Sequence, residues 1–338
     1  MLTRPFDARF CFTYRCNLKC PFCYERFARN LAQEELPLER WLQLIRELKQ
    51  LAILKLTLIG GEPFCHPYME HFLDELTNAP IRFDVGTNGT LLDDAWIRKL
   101  KQTNRCTAIT LSLDGFKDYH DSIRGNGTFE AVLNAIHKLC DAKIKTSVNV
   151  VVSQDNYTTM PDFAQFLESL PITAYTLYTR ADQAHGENAL GGELSITELA
   201  HFIQIMNNLN LRKIDKNSTN LKLLDSLRNP PEVTDEGPQC LAPKATIGIL
   251  PNGDIPVCAS YDNAEIAGYV KTKSIAEAWN NDVTRDFIQQ QIKGEPLPSQ
   301  DCLDCVYRQF CRKSCPKLKK MPLCRRELAK ELNLTSTD

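Results

Sequence analysis

From residue 7 to residue 180 the hydrophobic and polar positions of the chain switch back and forth between two periods. Short runs rich in β-branched and aromatic residues fall at 7–13, 54–59, 81–87, 107–113, 145–153 and 173–179, as strands do. The stretches between them repeat at helical spacing. In residues 37–51, for example, Leu38, Trp41, Leu42, Ile45 and Leu48 share one face. Residues 68–76, 93–101, 128–140 and 160–170 behave alike, and Asp93 and Thr128 stand where helix caps belong. Strand–helix alternation predicts parallel strands joined by helical crossovers. Six strands are too few to close an eight-stranded barrel. The pattern therefore predicts an α/β fold, a partial, open (β/α)6 TIM-like barrel.

The character of the chain changes after residue 180. Residues 181–194 are glycine-rich and loop-like, residues 195–209 read as a helix, and a polar stretch runs to Asn229-Pro230-Pro231 and beyond. This places a barrel domain at 1–200, a bridging segment at 201–236 and a small cysteine-rich α+β domain at 237–338. Within the last, residues 247–257 read as a hairpin around Asn252-Gly253, and residues 274–291 read as one helix.

Composition adds one unusual number. The hydrophobic share of 43%, the charged share of 24% and the net charge of −2 are ordinary and point to no nucleic-acid or anionic-membrane partner. The first residues lack the apolar core of a signal peptide, and no apolar run approaches the roughly 20 residues of a membrane span. The expectation is a cytoplasmic protein. The 338 residues nevertheless contain 14 cysteines. In a reducing compartment, tightly and regularly spaced cysteines read as metal ligands rather than disulfides.

Three of them, Cys16, Cys20 and Cys23, form a C-x3-C-x2-C run directly after the first strand. A closed zinc site wants four ligands. A four-iron cluster on three thiolates keeps one iron open. The loop lies where barrel folds place active sites, after a strand, which favours the cluster over a zinc knuckle.

Further motifs follow the next strands in step: Gly60-Gly61-Glu62-Pro63, Thr87-Asn88-Gly89, Ser112-Leu113-Asp114-Gly115, then Arg124-Gly125. With the three cysteines, these make the chain resemble the radical S-adenosylmethionine (SAM) enzymes. The resemblance implies that Cys16, Cys20 and Cys23 hold a 4Fe–4S cluster whose open iron chelates SAM. It implies SAM contacts by Gly60, Gly61, Glu62, Thr87, Ser112, Asp114 and Arg124. The C-terminal cysteines, Cys240, Cys258, Cys302, Cys305, Cys311, Cys315 and Cys324, match in every spacing the SPASM extension of that family. This implies two auxiliary 4Fe–4S clusters, three clusters in all. Cys302, Cys305, Cys311 and Cys324 would hold one. Cys240, Cys258 and Cys315 would hold the other, with an open iron, a non-cysteine ligand or a borrowed cysteine completing it.

Auxiliary clusters give an electron from a substrate radical somewhere to go, so net oxidation is the expected outcome. The resemblance implies a peptide or protein as substrate, modified by a cross-link or dehydrogenation. The alternative is a small molecule such as a sugar, amino acid or cofactor precursor. Cys16 comes too early for an upstream leader-binding domain, so a separate leader-binding protein is the expected helper. A flavodoxin or ferredoxin is the expected electron donor. Ala259 stands where sulfatase-maturing relatives place an acidic base, which argues against that role, and Asp262 is the nearest substitute. Tyr178, Arg180, His185 and Glu187, at the last barrel strand and its loop, are candidates to face substrate. Cys11, Cys106 and Cys140 sit in apolar patterns and read as buried hydrophobes. Cys65, beyond the Gly-Gly-Glu-Pro turn, is the one spare cysteine worth testing.

Overall fold

The computed structural model describes residues 3–23, 34–179, 192–215, 227–228, 244–257, 266–293, 305–307 and 324–334. Six strands fall within two residues of their predicted positions: β1 (Asp7–Cys11), β2 (Lys55–Ile59), β3 (Arg82–Thr87), β4 (Cys106–Ser112), β5 (Thr146–Val152) and β6 (Ala174–Thr179). The helices between them are α1 (Leu38–Gln50), α2 (Met69–Thr77), α3 (Asp94–Gln102), α4 (Lys117–Arg124), α5 (Thr128–Asp141) and α6 (Met160–Ser169). The sequence pattern does not show α4. It has eight residues and buries only His120 and Ile123, too little for an apolar period to register.

All neighbouring strands of the main sheet run parallel, and the sheet is open. Its order is β6-β5-β4-β3-β2-β1-β7, where β7 (Thr246–Ile249) adds a seventh strand beside β1. This corrects the expected hairpin. The turn at Asn252-Gly253 forms, with Gly253 at φ +88, but β7 pairs with β1. β8 (Asp254–Pro256) pairs instead with β9 (Ile266–Tyr269), antiparallel. Ile247, Gly248 and Ile249 are all buried, and such a run suits a parallel strand covered on both faces better than a surface hairpin.

Each strand turns alternate residues toward the helices. Phe10, Leu56, Leu58, Phe83, Val85, Ile109, Leu111, Val148 and Val150 are fully buried there. The Trp41 ring on α1 packs 5.1 Å from Phe10 and 5.3 Å from Phe12. The opposite face carries half-buried polar groups, among them Thr57, Thr110, Ser112, Ser147, Asn149 and Thr176. The apolar face fixes register, because a one-residue slip would send these polar groups into the helix layer.

Asp93 caps α3 as expected, its carboxylate accepting from Trp96 N at 2.9 Å. Thr128 does not cap α5. It is the first helical residue, and Gly127, at φ +80, precedes it. The orphan N–H groups go to Asp121 of α4, whose carboxylate accepts from Gly127 N at 2.9 Å and Phe129 N at 2.8 Å. Further along lies α7 (Ile196–Asn207), opened by a Ser195/Glu198 capping box. The single helix expected over 274–291 is two, α8 (Ile275–Trp279) and α9 (Asp282–Lys293). Asn280 leaves helical geometry, and Asn281 accepts from Thr284 N at 2.8 Å to start the second. The last helix is α10 (Arg325–Glu331). Among the described residues no helix is long and apolar enough to cross a membrane.

The start of α1 is clasped to residues 251–275. Leu36 N donates to Pro251 O at 2.7 Å. Arg40 donates from Nε to Val270 O, from one terminal nitrogen to Lys273 O and from the other to Glu47 Oε1, each at 2.7 Å. Glu47 Oε2 in turn accepts from Ile275 N at 2.7 Å. The Arg40 and Glu47 side chains are only 10% and 13% exposed. Removing one partner strands the other charge out of water, so Arg40→Ala should cost about 3 kcal/mol. Chemical denaturation checks this, and a loss under about 1 kcal/mol would show that the clasp is not holding.

Candidate active site

The motifs converge because a parallel sheet brings the carboxyl ends of its strands to one edge. The β1–β2 ladder continues past both strands. Phe12 N donates to Ile59 O, Gly61 N to Thr13 O, and Glu62 N to Arg15 O, at 2.7–2.8 Å. The Gly-Gly-Glu-Pro turn is thereby paired to the stem of the cysteine loop, up to the residue before Cys16. Gly60 and Gly61 are required by this approach. A Cβ on Gly60 would sit 2.7 Å from Thr13 O, and one on Gly61 would sit 2.3 Å from Arg15 O. Gly60 also holds φ +138, which favours glycine.

Glu62 is fully buried. Its carboxylate accepts from Thr87 Oγ1 and Asn88 N at 2.7 Å each and from Phe64 N at 3.2 Å. Burial pushes its pKa up, and these donors oppose the shift. Thr87 is buried as well, and its hydroxyl accepts from Gly89 N at 3.0 Å.

The stem has a second anchor that the sequence did not reveal. Glu35 Oε1 accepts from Thr13 Oγ1 at 2.7 Å and Tyr14 N at 2.8 Å, while Oε2 lies 3.7 Å from Arg15 Nε. His66 stacks on Phe12 at 4.0 Å and accepts from Tyr68 N through Nδ1, which leaves its proton on Nε2, 4.0 Å from Glu35. Nothing local to Glu35 marks this role, because its partners are twenty or more residues away.

After β4, Asp114 is fully buried and Arg124 pairs with it at 2.5 Å. The second Asp114 oxygen accepts from Val151 N at 2.9 Å, and the backbone on either side is held by His120 Nδ1 and Asn156 Nδ2. The Arg124 guanidinium lies over the Phe22 ring, 5.3 Å from its centroid, inside the cysteine loop. Burial pushes the Cys20 thiol up, and the Arg124 charge opposes that shift. Among the described residues only Nε of Arg124 donates a hydrogen bond. Ser112 is half-buried on the polar face of β4, in register with Asn149 of β5.

The cysteine loop places Cys20 in the interior and leaves Cys16 and Cys23 half-buried. Among the described residues no three His, Cys, Asp or Glu side chains gather closely enough to hold one metal ion. A multi-iron cluster spreads its thiolates wider and takes soft donors of this kind. The three soft thiols of the loop, one in the interior and two half-buried, fit an iron–sulfur cluster.

Of the C-terminal cysteines, Cys305 and Cys324 are half-buried, and Cys324 immediately precedes α10. Cys240, Cys258, Cys302, Cys311 and Cys315 lie outside the described residues, as do Arg180, His185, Glu187, Ala259 and Asp262. Tyr178 is exposed near the end of β6. Cys11 is buried as expected, whereas Cys106 and Cys140 are half-buried. Burial pushes Cys106 up to about 12, and Cys140 donates to Pro171 O at 3.1 Å. Cys65 sits at the site, 3.9 Å from Asn17 Oδ1.

An open α/β partial barrel with a three-thiol loop beyond β1 points to a class: an iron–sulfur protein whose candidate site lies at the sheet edge. Comparison with known proteins makes this specific. A family model of the radical SAM superfamily matches residues 10–167, and one of the SPASM iron–sulfur cluster-binding domain matches residues 240–306. The chain carries a radical SAM domain and a SPASM domain. These domains give it SAM and 4Fe–4S clusters as cofactors.

Among curated relatives, the chain is 27% identical to Fe-coproporphyrin III synthase of Methanosarcina barkeri, over 57% of this chain and 49% of that protein. It is 25% identical to the antilisterial bacteriocin subtilosin biosynthesis protein AlbA of Bacillus subtilis, over 91% of this chain and 66% of AlbA. The matches thus span less than two thirds of either relative's length. Among solved structures, Streptococcus suis SuiB bound to precursor peptide SuiA superposes with a TM-score of 0.76 at 18% identity, over 97% of this chain and 76% of SuiB. Native anSMEcpe with bound AdoMet gives 0.73 at 18% identity, over 97% and 96%. Both share the fold.

Gly61→Ala should push the stem off the turn, and iron and sulfide analysis of reconstituted protein should show a loss confined to one cluster of the set. Unchanged content would mean that the stem tolerates the Cβ. Burial also lowers His66 and His120 to about 4, from about 6.5. Unfolded chains bind those protons first, so stability should fall as pH drops below about 6.5 and level off near 4. Denaturant midpoints between pH 7 and 4 check this, and His66→Phe should flatten the slope.

Proposed function

We propose that the chain is an oxidoreductase that cleaves SAM at a cluster held by Cys16, Cys20 and Cys23 and oxidatively modifies a ribosomally made peptide or protein. The observation that carries the chemistry is the placement of Arg124. It ties the buried Asp114 to the middle of the cysteine loop and sets a positive charge beside two of its thiols. Bound there, a cluster would supply the electron for reductive cleavage of SAM, the chemistry that starts hydrogen abstraction from substrate.

The chain's residues divide the work of holding SAM. Arg124, with its terminal nitrogens not engaged by described residues, is suited to a carboxylate. Ser112 offers a hydroxyl on the same face. Glu62 and Asp114 already accept hydrogen bonds on both oxygens. A carboxylate has about four acceptor sites, so both side chains keep room for a ligand donor and, with Gly60, Gly61 and Thr87, complete the SAM contacts. In the C-terminal domain, Cys302, Cys305, Cys311 and Cys324 hold one auxiliary cluster and Cys240, Cys258 and Cys315 the other. Clusters held there would offer an acceptor for a second electron, which is what net oxidation to a cross-linked or dehydrogenated product would require.

The peptide substrate is supported by the reach of the AlbA match, which runs through barrel and C-terminal domain alike, over 91% of the chain. SkfB, a sporulation killing factor maturation protein, also matches, over 45% of it. A second reading, dehydrogenation or epimerisation of a small molecule, is favoured by the match to Fe-coproporphyrin III synthase. That match covers 57% of this chain. The working partners are a flavodoxin or ferredoxin as electron donor and a separate leader-binding protein, all in the cytoplasm.

The test uses anaerobically reconstituted protein with SAM and reductant. Replacing Cys16, Cys20 and Cys23 together by Ala should abolish 5′-deoxyadenosine formation, and undiminished formation would sink the chemistry. Host extract is then divided by size. Stimulation by a peptide-sized fraction that is lost after protease treatment supports a maturase. Stimulation only by the small, protease-resistant fraction moves the assignment to the second reading.

A further inference from the structure

We propose that Asn88 is a positioning residue for the SAM-binding cluster. It holds an amide N–H against the Cys16 sulfur and raises that cluster's reduction potential. This rests on the reading of Cys16 as a cluster ligand.

Asn88 follows β3 and is only 7% exposed. Its backbone N–H donates to Glu62 Oε2 at 2.7 Å. Its side-chain Oδ1 accepts from Thr90 N at 2.9 Å and from Thr90 Oγ1 at 2.7 Å. Those two bonds decide which end of the amide is oxygen, so the NH2 end faces the cysteine loop. There Nδ2 donates to Asn17 Oδ1 at 2.9 Å and lies 3.9 Å from Cys16 Sγ. Two amide hydrogens meet two acceptors. Asn17 is fixed in turn, its own Nδ2 donating to Thr90 Oγ1 at 2.8 Å and its Oδ1 also accepting from the Cys65 thiol. A second donor, Leu18 N, is 3.4 Å from the same sulfur.

Donors at a ligating thiolate stabilise negative charge on it. The reduced cluster carries one more electron than the oxidised cluster, so the donors favour reduction and raise the potential. Glu62 is what makes the donor precise in place, because it pins the Asn88 backbone while Thr90 pins the side-chain oxygen. The competing reading is that Asn88 only closes the turn after β3. In that case its removal would loosen the loop without a directed change in potential.

The experiment is an EPR-monitored redox titration of the full chain, anaerobically reconstituted, without SAM. Asn88→Ala should shift the midpoint of the cluster held by Cys16, Cys20 and Cys23 to more negative values. Asn88→Asp should shift it further, because a carboxylate oxygen then faces the thiolate. The auxiliary midpoints should stay where they are. Iron and sulfide content establishes that each variant holds its full set. Full loading with an unmoved midpoint overturns the proposal. Labelling with 15N-asparagine gives a second readout. The reduced cluster should show an asparagine-nitrogen hyperfine coupling that Asn88→Ala removes, and a spectrum unchanged by that substitution, as Asn17 beside Cys16 alone would give, overturns the proposal. Failure of the underlying reading looks different: the same titrating clusters would survive replacement of all three loop cysteines.

Discussion

The buried carboxylate of Glu62 is the constraint on which the site depends. It lies at the join of three strands, shielded from bulk solvent. Donors from Thr87, Asn88 and Phe64 supply what solvent would. Because two of those donors belong to the end of β3 and the glutamate itself follows β2, the turns beyond both strands are locked together. The ladder from Phe12 to Arg15 then locks the cysteine loop to the same turns. A mobile loop could not present three thiols to one cluster. Here its stem is held by main-chain bonds on one side and by Glu35 on the other.

Electrostatics at the site follows from a second buried group. Asp114 cannot be charged in the interior without a partner, and Arg124 is that partner. The pair also has a use outside itself. Arg124 reaches across Phe22 and places positive charge beside thiols that must become thiolates to bind iron. The supporting contacts from His120, Val151 and Asn156 come from three other places in the chain, so the guanidinium has little freedom to move.

The segment from Glu35 to Glu47 connects the two halves of the molecule. Glu35 holds the cysteine loop, the next residue is bonded to Pro251, and α1 carries the Arg40–Glu47 clasp onto residues 270–275. The SPASM match begins at residue 240, so this clasp joins the barrel to that domain. Directional bonds to main-chain atoms fix the placement of α1 against residues 270–275 better than apolar contact alone.

Much of this was legible in the chain. The six strands appear because buried parallel strands are continuous apolar runs, and the crossover helices appear because one face of each is apolar. The cysteine spacing and the motifs at successive strand ends identified the chemistry, since ligands to one cluster must be close in sequence or in step with the fold. What the sequence left open concerns partners. Asn252-Gly253 specifies a turn but not which strand β7 joins, and the free edge of β1 decided that by burying both faces of it. Residues 274–291 carry helical propensity throughout, yet Asn281 divides them by capping. Thr128 has the chemistry of a cap, but Asp121 from the preceding helix reaches the free N–H groups first. Local periodicity and spacing are properties of neighbouring residues, so the sequence alone determined the six strands, most of the helices between them and the cofactor class. Glu35 and Asn17 take their partners from groups far away in the chain, and only the folded structure shows them; Arg124 was already legible as a site residue, and the structure adds its pairing with Asp114.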